Sequence, residues 1–208
     1  VNMAQSTNDA FPTAIHLSTV FVLIELLNVM ETMVSTFEAK AKEFDHIIKM
    51  GRTHLQDAVP IRLGQEFLAY SKVLRRDIKR IKQAKEDLYE INLGATAIGT
   101  CLNADADYIK SAVEYVQENT NLPFIACENH VDGTQNTDVY VQVSAALKIC
   151  MLNISKICND LRLMASGPKT GFAEILLPER QPGSSIMPGK VNPVMLEVLN
   201  QIAFQVAG

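Results

Sequence analysis

A run of helical periodicity from Asp9 to Phe44 constrains this chain more than any other feature. Ile15, Val22, Leu26, Met30, Met33, Phe37 and Phe44 follow helical spacing and predict one apolar stripe. About 36 residues at 1.5 Å each make a rod of roughly 54 Å. Asn8 or Asp9 supplies a cap, and Pro12 is expected in the first turn, where proline is tolerated. A helix of this length needs partners for its apolar face.

Those partners are also legible. Ile61 to Leu93 carries a second stripe of Leu63, Phe67, Tyr70, Leu74, Ile78, Ile81 and Leu88. Its outer face, with Arg75, Arg76, Lys79, Arg80 and Lys82, reads as a solvated charged face. A third helix is expected from Asn136 to Ser166, stopped by Gly167-Pro168. A fourth starts at Asn192-Pro193, read as a cap followed by a first-turn proline. A shorter one covers Asp105 to Glu118. The fold class predicted is all-α, an elongated long-helix bundle forming one domain over residues 1–208.

Bulk properties narrow the function classes. Charged residues are 20% of the chain and the net charge is −4, so no basic footprint suits nucleic acid. The most apolar stretch, Thr19 to Leu27, is broken by Glu25, and no uninterrupted run approaches the ~20 residues of a membrane span. Cys101, Cys127, Cys150 and Cys158 form no C-x-x-C pair and read as free thiols in a reducing compartment, hence the cytoplasm. The chain starts at Val1 in a polar segment and stops at Gly208 after an apolar run, which predicts a piece of a longer protein.

Three polar segments lie between the helices, at 2–9, 51–60 and 171–193, with a Gly/Thr-rich turn at Gly94–Asn103. Gln5-Ser6-Thr7-Asn8-Asp9 sets hydroxyls and an amide before a helix start, where free N–H groups favour anions. The same residues also fit an ordinary helix cap. Gly51 to Pro60 reads as a loop in which Thr53, His54, Gln56 and Asp57 crowd together, and histidine is the side chain most used to move protons at ordinary pH. Gly183-Ser184-Ser185-Ile186-Met187-Pro188-Gly189-Lys190-Val191-Asn192-Pro193 reads as a pliable loop whose Lys190 and Asn192 suit an anion beside a helix start. It is not a P-loop, because five residues separate Gly183 from Gly189 and Val191 replaces Ser/Thr. No H-E-x-x-H, G-x-G-x-x-G or G-x-S-x-G pattern occurs.

Together these segments resemble the aspartase/fumarase superfamily. The resemblance rests on residues 183–193, Gly51-Arg52-Thr53-His54-Leu55-Gln56-Asp57 and Gln5-Ser6-Thr7-Asn8-Asp9, in that family's order. It extends to Gly94–Thr100 and Ile157–Arg162. Ser6-Thr7-Asn8, Asp57-Ala58-Val59-Pro60 and Pro193-Val194-Met195 are closer to the aspartate-deaminating branch than to fumarases. Cys101 and Ala4 depart from the usual Gly and Ser.

The resemblance implies a lyase that takes a dicarboxylate, L-aspartate, to fumarate and ammonia through C3 deprotonation and an aci-carboxylate. It implies Ser184 as general base and His54 as a second catalytic group orienting the substrate. Ser6, Thr7, Asn8, Thr53, Lys190 and Asn192 would bind the carboxylates. No organic cofactor and no metal ligand set is implied, although some members respond to a divalent cation. A homotetramer is implied, with each active site drawing loops from three subunits. A further substrate-contacting segment would precede Val1, so the isolated piece is expected to be inactive. Two alternatives stay open: a fumarate hydratase, and a non-catalytic helical oligomerisation module.

Overall fold

The computed structural model describes residues 3–208, so Asn2, the first residue of the predicted 2–9 loop, lies outside the described residues. In chain order the elements are α1 (Thr7–Glu43), β1 (Ile48–Thr53), β2 (Gln56–Arg62), α2 (Leu63–Asp87), β3 (Glu90–Ile91), α3 (Ala106–Thr120), β4 (Ile125–Ala126), α4 (His130–Gln135), α5 (Asp138–Met164) and α6 (Val194–Ala207). The fold class is all-α, as expected. The chain divides into two compact units, 1–29 with 79–143, and 30–78 with 144–208.

In the first unit, α1 begins at Thr7, two residues earlier than expected. Ser6 Oγ accepts a hydrogen bond from Asn8 N at 3.1 Å, and Asp9 Oδ1 accepts from Ser6 N at 2.8 Å. This reciprocal pairing is a capping box. Pro12 therefore sits in the second turn, not the first. Proline has no N–H for the carbonyl four residues back. That carbonyl, of Asn8, instead accepts from Asn92 Nδ2 at 2.9 Å. Asp9 is fully buried, and its Oδ2 also accepts from Gly94 N and Thr96 N at 3.1 and 3.2 Å. The helix start and the Gly94–Asn103 turn are thereby tied together.

The expected helix to Leu93 stops at Asp87. Leu88 N and Tyr89 N turn back to Lys85 O and Glu86 O, and Glu90–Ile91 pairs in parallel with Ile125–Ala126. Tyr89 packs edge-on against Phe124, which is fully buried. His16 Nδ1 lies 3.0 Å from the Leu88 carbonyl oxygen, and burial lowers the pKa of its ring, which favours the neutral form.

In the second unit the later halves of α1 and α5, the first part of α2, and α6 make a helical bundle. Phe37 meets Phe67 and Tyr70, and Phe44 meets Phe67, at centroid separations of 5.1–6.0 Å. Arg75 is not merely solvated: its guanidinium grips Glu38 with three hydrogen bonds of 2.8–3.0 Å. Ser155 Oγ donates to Asn200 Oδ1, and Asn200 Nδ2 donates to Asn159 Oδ1. These bonds fix α6 on α5.

The α2 stripe is buried as predicted, from Leu63 through Phe67, Tyr70, Leu74, Ile78 and Ile81 to Leu88. The α1 stripe is not. Its buried positions are Asp9, Thr13, Val20, Leu23, Leu27, Met30, Val34 and Ala41, with three-four alternation from Val20 to Val34, and of the predicted set only Met30 is among them. Val22 is 64% exposed. By length and composition alone, α1 and α5 are each apolar enough to cross a membrane, which corrects the count of uninterrupted runs. Glu25 interrupts a run without making the window polar.

All four cysteines are free thiols. Burial pushes the Cys127 thiol up to about 11 and, with Asp77 adding repulsion, the Cys150 thiol up to about 12. At pH 8 the reactive thiolate is therefore a fraction of about 10⁻³ or less at both. Labelling of the native protein with a thiol reagent, read by peptide mass spectrometry, is expected to leave Cys127 and Cys150 unmodified until denaturant is added.

Candidate functional site

The 51–60 segment is not a loop. It is most of an antiparallel β-hairpin, with Thr53 paired to Gln56 and His54-Leu55 as a two-residue turn. Both turn residues have positive φ, 51° at His54 and 62° at Leu55. Such turns match the twist of a hairpin but favour Asn-Gly, because a side chain is strained there. Strain held at an exposed histidine is a feature that tends to accompany function. Thr53 and His54 are both exposed at the tip.

Below the tip, the pairing register shifts between Met50 and Arg52. A Cβ at Gly51 would lie 2.7 Å from the Val59 carbonyl oxygen, so no larger residue fits this bulge. Lys49 and Arg52 both turn to the Glu174 carboxylate, with Lys49 Nζ 3.0 Å from Oε2 and Arg52 Nη1 2.8 Å from Oε1. The Lys49 contact is ionic by distance, while Oε2 has no well-angled hydrogen bond.

The third segment is closed at its base by a bridge between Pro182 and Val191. Gly183 is needed for close approach: a Cβ there would lie 2.1 Å from the Lys190 carbonyl oxygen. Met187 N donates to Ser184 O at 2.9 Å, and Ile186 N reaches Ser184 Oγ at 3.4 Å. Ser184 and Asn192 line one open hollow of about 330 Å³, together with Gln181, Pro182, Gly183 and Val194. Asn192 does not cap α6, as the sequence suggested. The cap position is Pro193, and no side chain satisfies the helix start. Val194 N, Leu196 N and Glu197 N turn back to the Asn192 and Pro193 carbonyls at 2.9–3.3 Å, so what the α6 start offers an anion is chiefly the positive end of the helix dipole.

The predicted site residues therefore fall into three places. Ser6 is the half-buried cap of α1, Thr7 is that helix's first residue, and Asn8 Nδ2 donates to Ala97 O at 2.7 Å, all in the first unit. Thr53 and His54 crown the hairpin, and Ser184, Lys190 and Asn192 belong to the third segment, all in the second unit. Ser184 and Asn192 are brought together. Among the described residues, no hydrogen bond or ion pair joins Thr53 or His54 to Ser184, Lys190 or Asn192. The sequence suggested only a cap for Asp9 and nothing for Glu174, because the partners that define them lie far along the chain. Among the described residues, no cluster of three His, Cys, Asp or Glu side chains is placed to hold a metal ion. A separate hollow of about 300 Å³ in the first unit is lined by Pro12, His16, Asn92, Thr134 and Tyr140 among others, and none of the predicted site residues lines it.

These features define an all-α bundle protein whose polar segments precede helix starts. The chain belongs to the lyase family, whose model matches residues 1–208. It is 68% identical over 208 residues to the aspartate ammonia-lyase of Bacillus subtilis, covering all of this chain and 44% of that protein. Its fold matches the crystal structure of the fumarate lyase:delta crystallin of Brucella melitensis bound to cobalt, at TM-score 0.95 and 46% identity, over all of this chain and 45% of the other. It also matches a class II fumarase from Schistosoma mansoni at TM-score 0.94 and 33% identity, over all of this chain and 47% of the other. The chain thus spans under half the length of the relatives it matches.

Proposed function

We propose that the protein carrying these residues deaminates L-aspartate to fumarate and ammonia. The observation that carries this reading is the hollow shared by Ser184 and Asn192 at the uncapped start of α6. The identity to aspartate ammonia-lyases, with Ser6-Thr7-Asn8 and Asp57-Ala58-Val59-Pro60 intact, supports aspartate as the substrate.

The chemistry follows from the substrate. The C3 proton of aspartate is weakly acidic, and its removal places a second negative charge on the adjacent carboxylate. Ser184 Oγ, as the alkoxide, takes that proton; the electron pair forms the aci-carboxylate and then the C2–C3 double bond. The C–N bond breaks and ammonia leaves. The serine then returns its proton to solvent. Lys190, Asn192 and the positive end of the α6 dipole stabilise the developing charge, a preorganised electrostatic role. Ser6, Thr7, Asn8 and Thr53 bind carboxylate oxygens, and His54 orients the substrate. No cofactor takes part in these steps.

The exposed apolar residues support a homotetramer, with these segments meeting across copies. Val29 on α1 is 62% exposed, Val141 on α5 66%, and Phe204 on α6 74%. Faces this apolar need cover, and we assign it to other copies in the cytoplasm rather than to membrane or nucleic acid. The test is an assay of the full-length protein with L-aspartate and with L-malate. Ammonia and fumarate are expected from aspartate; turnover of malate alone would overturn the reading in favour of the hydratase.

A further inference from the structure

We infer that Glu174 is a positioning residue that locks the His54 hairpin to the segment leading to Ser184; this rests on the function proposed above. In a regular strand Lys49 and Arg52, three residues apart, would point to opposite faces. The register shift at Gly51 turns both toward the same side. There one carboxylate takes both cations. The three side chains are only 10%, 19% and 14% exposed for Lys49, Arg52 and Glu174.

The contact is braced on every side. Lys49 Nζ also reaches both oxygens of Glu66 at 3.1 Å, which ties it to α2. The Arg52 guanidinium lies 4.0 Å from the centre of the Phe172 ring. Glu174 N donates to Met164 O at 2.8 Å, so the carboxylate is anchored to the end of α5. Arg52 is two residues from His54, and Glu174 is ten from Ser184. A strained turn holds its shape only when its surroundings over-determine it, and this ion cluster, in which Arg52 Nε also lies 3.3 Å from Asp57 Oδ1 on the facing strand, begins two residues from the tip. Glu174 touches no reacting atom in this scheme; it acts through Arg52 and Lys49.

Glu174→Gln in the full-length protein tests the inference. The amide is nearly isosteric but cannot hold two cations. With aspartate as substrate, kcat/KM is expected to fall about tenfold or more, carried chiefly by KM, under conditions where circular dichroism shows the variant folded. Glu174→Asp, which keeps the charge, should recover part of that loss. Hydrogen exchange is expected to quicken at both 48–62 and 171–193 and to stay unchanged in α3. A merely structural role would lower the melting temperature and leave kcat/KM of the folded enzyme within about twofold of wild type, and that result overturns the inference. If the wild type does not act on aspartate, the proposed function fails, and exchange alone decides the lock: unchanged protection in both segments rejects it.

Discussion

Ser184→Ala in the full-length protein is expected to lower kcat on aspartate by about 10³-fold, since a positioned general base contributes roughly 10²–10⁴. That corresponds to about 4 kcal/mol of transition-state stabilisation. The fold should be untouched. Ser184 is exposed, and its hydroxyl has one long contact, to Ile186 N at 3.4 Å. The melting temperature and far-ultraviolet circular dichroism should therefore match wild type. KM should change little, because the hydroxyl acts at C3 and the carboxylates are bound elsewhere. Ser185→Ala is the control: its hydroxyl is adjacent but does not line the hollow with Asn192, and near-normal turnover is expected. Full activity in Ser184→Ala would remove this serine from the base role. Equal losses in both variants would point to a disturbed loop instead of a lost base.

The difference between what the sequence disclosed and what it hid has a physical pattern. Helices with one apolar face were legible. From Leu63 on α2 to Leu88 just beyond it every predicted stripe residue is buried, because Arg75, Arg76, Lys79, Arg80 and Lys82 leave only one face to bury. On α1 apolar residues surround the helix, so periodicity could not say which side meets its own chain. The side chosen from the sequence includes Val22, which the fold leaves exposed. The hairpin was hidden for a different reason. Its turn is His54-Leu55 where a hairpin signal is Asn-Gly, and Gly51 reads as a loop breaker when it is in fact a bulge. The chemistry-bearing segments were legible as clusters of polar residue types. Their shape was not, because it depends on long-range partners: Glu174 for Lys49 and Arg52, Asn92 for the carbonyl that Pro12 leaves free.

Asp9 is the clearest of these long-range partners, and it carries the largest expected effect on stability. It sits next to three predicted substrate-binding residues, and sequence reasoning gave it only a cap. In the fold it is fully buried and accepts four backbone hydrogen bonds. Oδ1 serves Ser6 N and Ala10 N at 2.8 and 2.7 Å, and Oδ2 serves Gly94 N and Thr96 N at 3.1 and 3.2 Å. Asp9→Ala strands Ser6 N, Gly94 N and Thr96 N, the last two in a buried setting, while Ala10 N keeps the Ser6 carbonyl at 3.0 Å. An unsatisfied buried donor costs about 1–3 kcal/mol, so a loss of about 3 kcal/mol or more is expected. That is a large share of the roughly 5–15 kcal/mol by which domains are stable. Asp9→Asn is not conservative here. Its one oxygen keeps one pair of donors, while its NH₂ group faces the other pair donor to donor. It should rank between wild type and Ala in urea unfolding. Asn8→Ala loses one exposed hydrogen bond, to Ala97 O, and should cost under about 1 kcal/mol. A midpoint for Asp9→Ala as high as that of Asn8→Ala would mean that water replaces the carboxylate at little cost, and that the helix start and the Gly94–Asn103 turn are held together by something else.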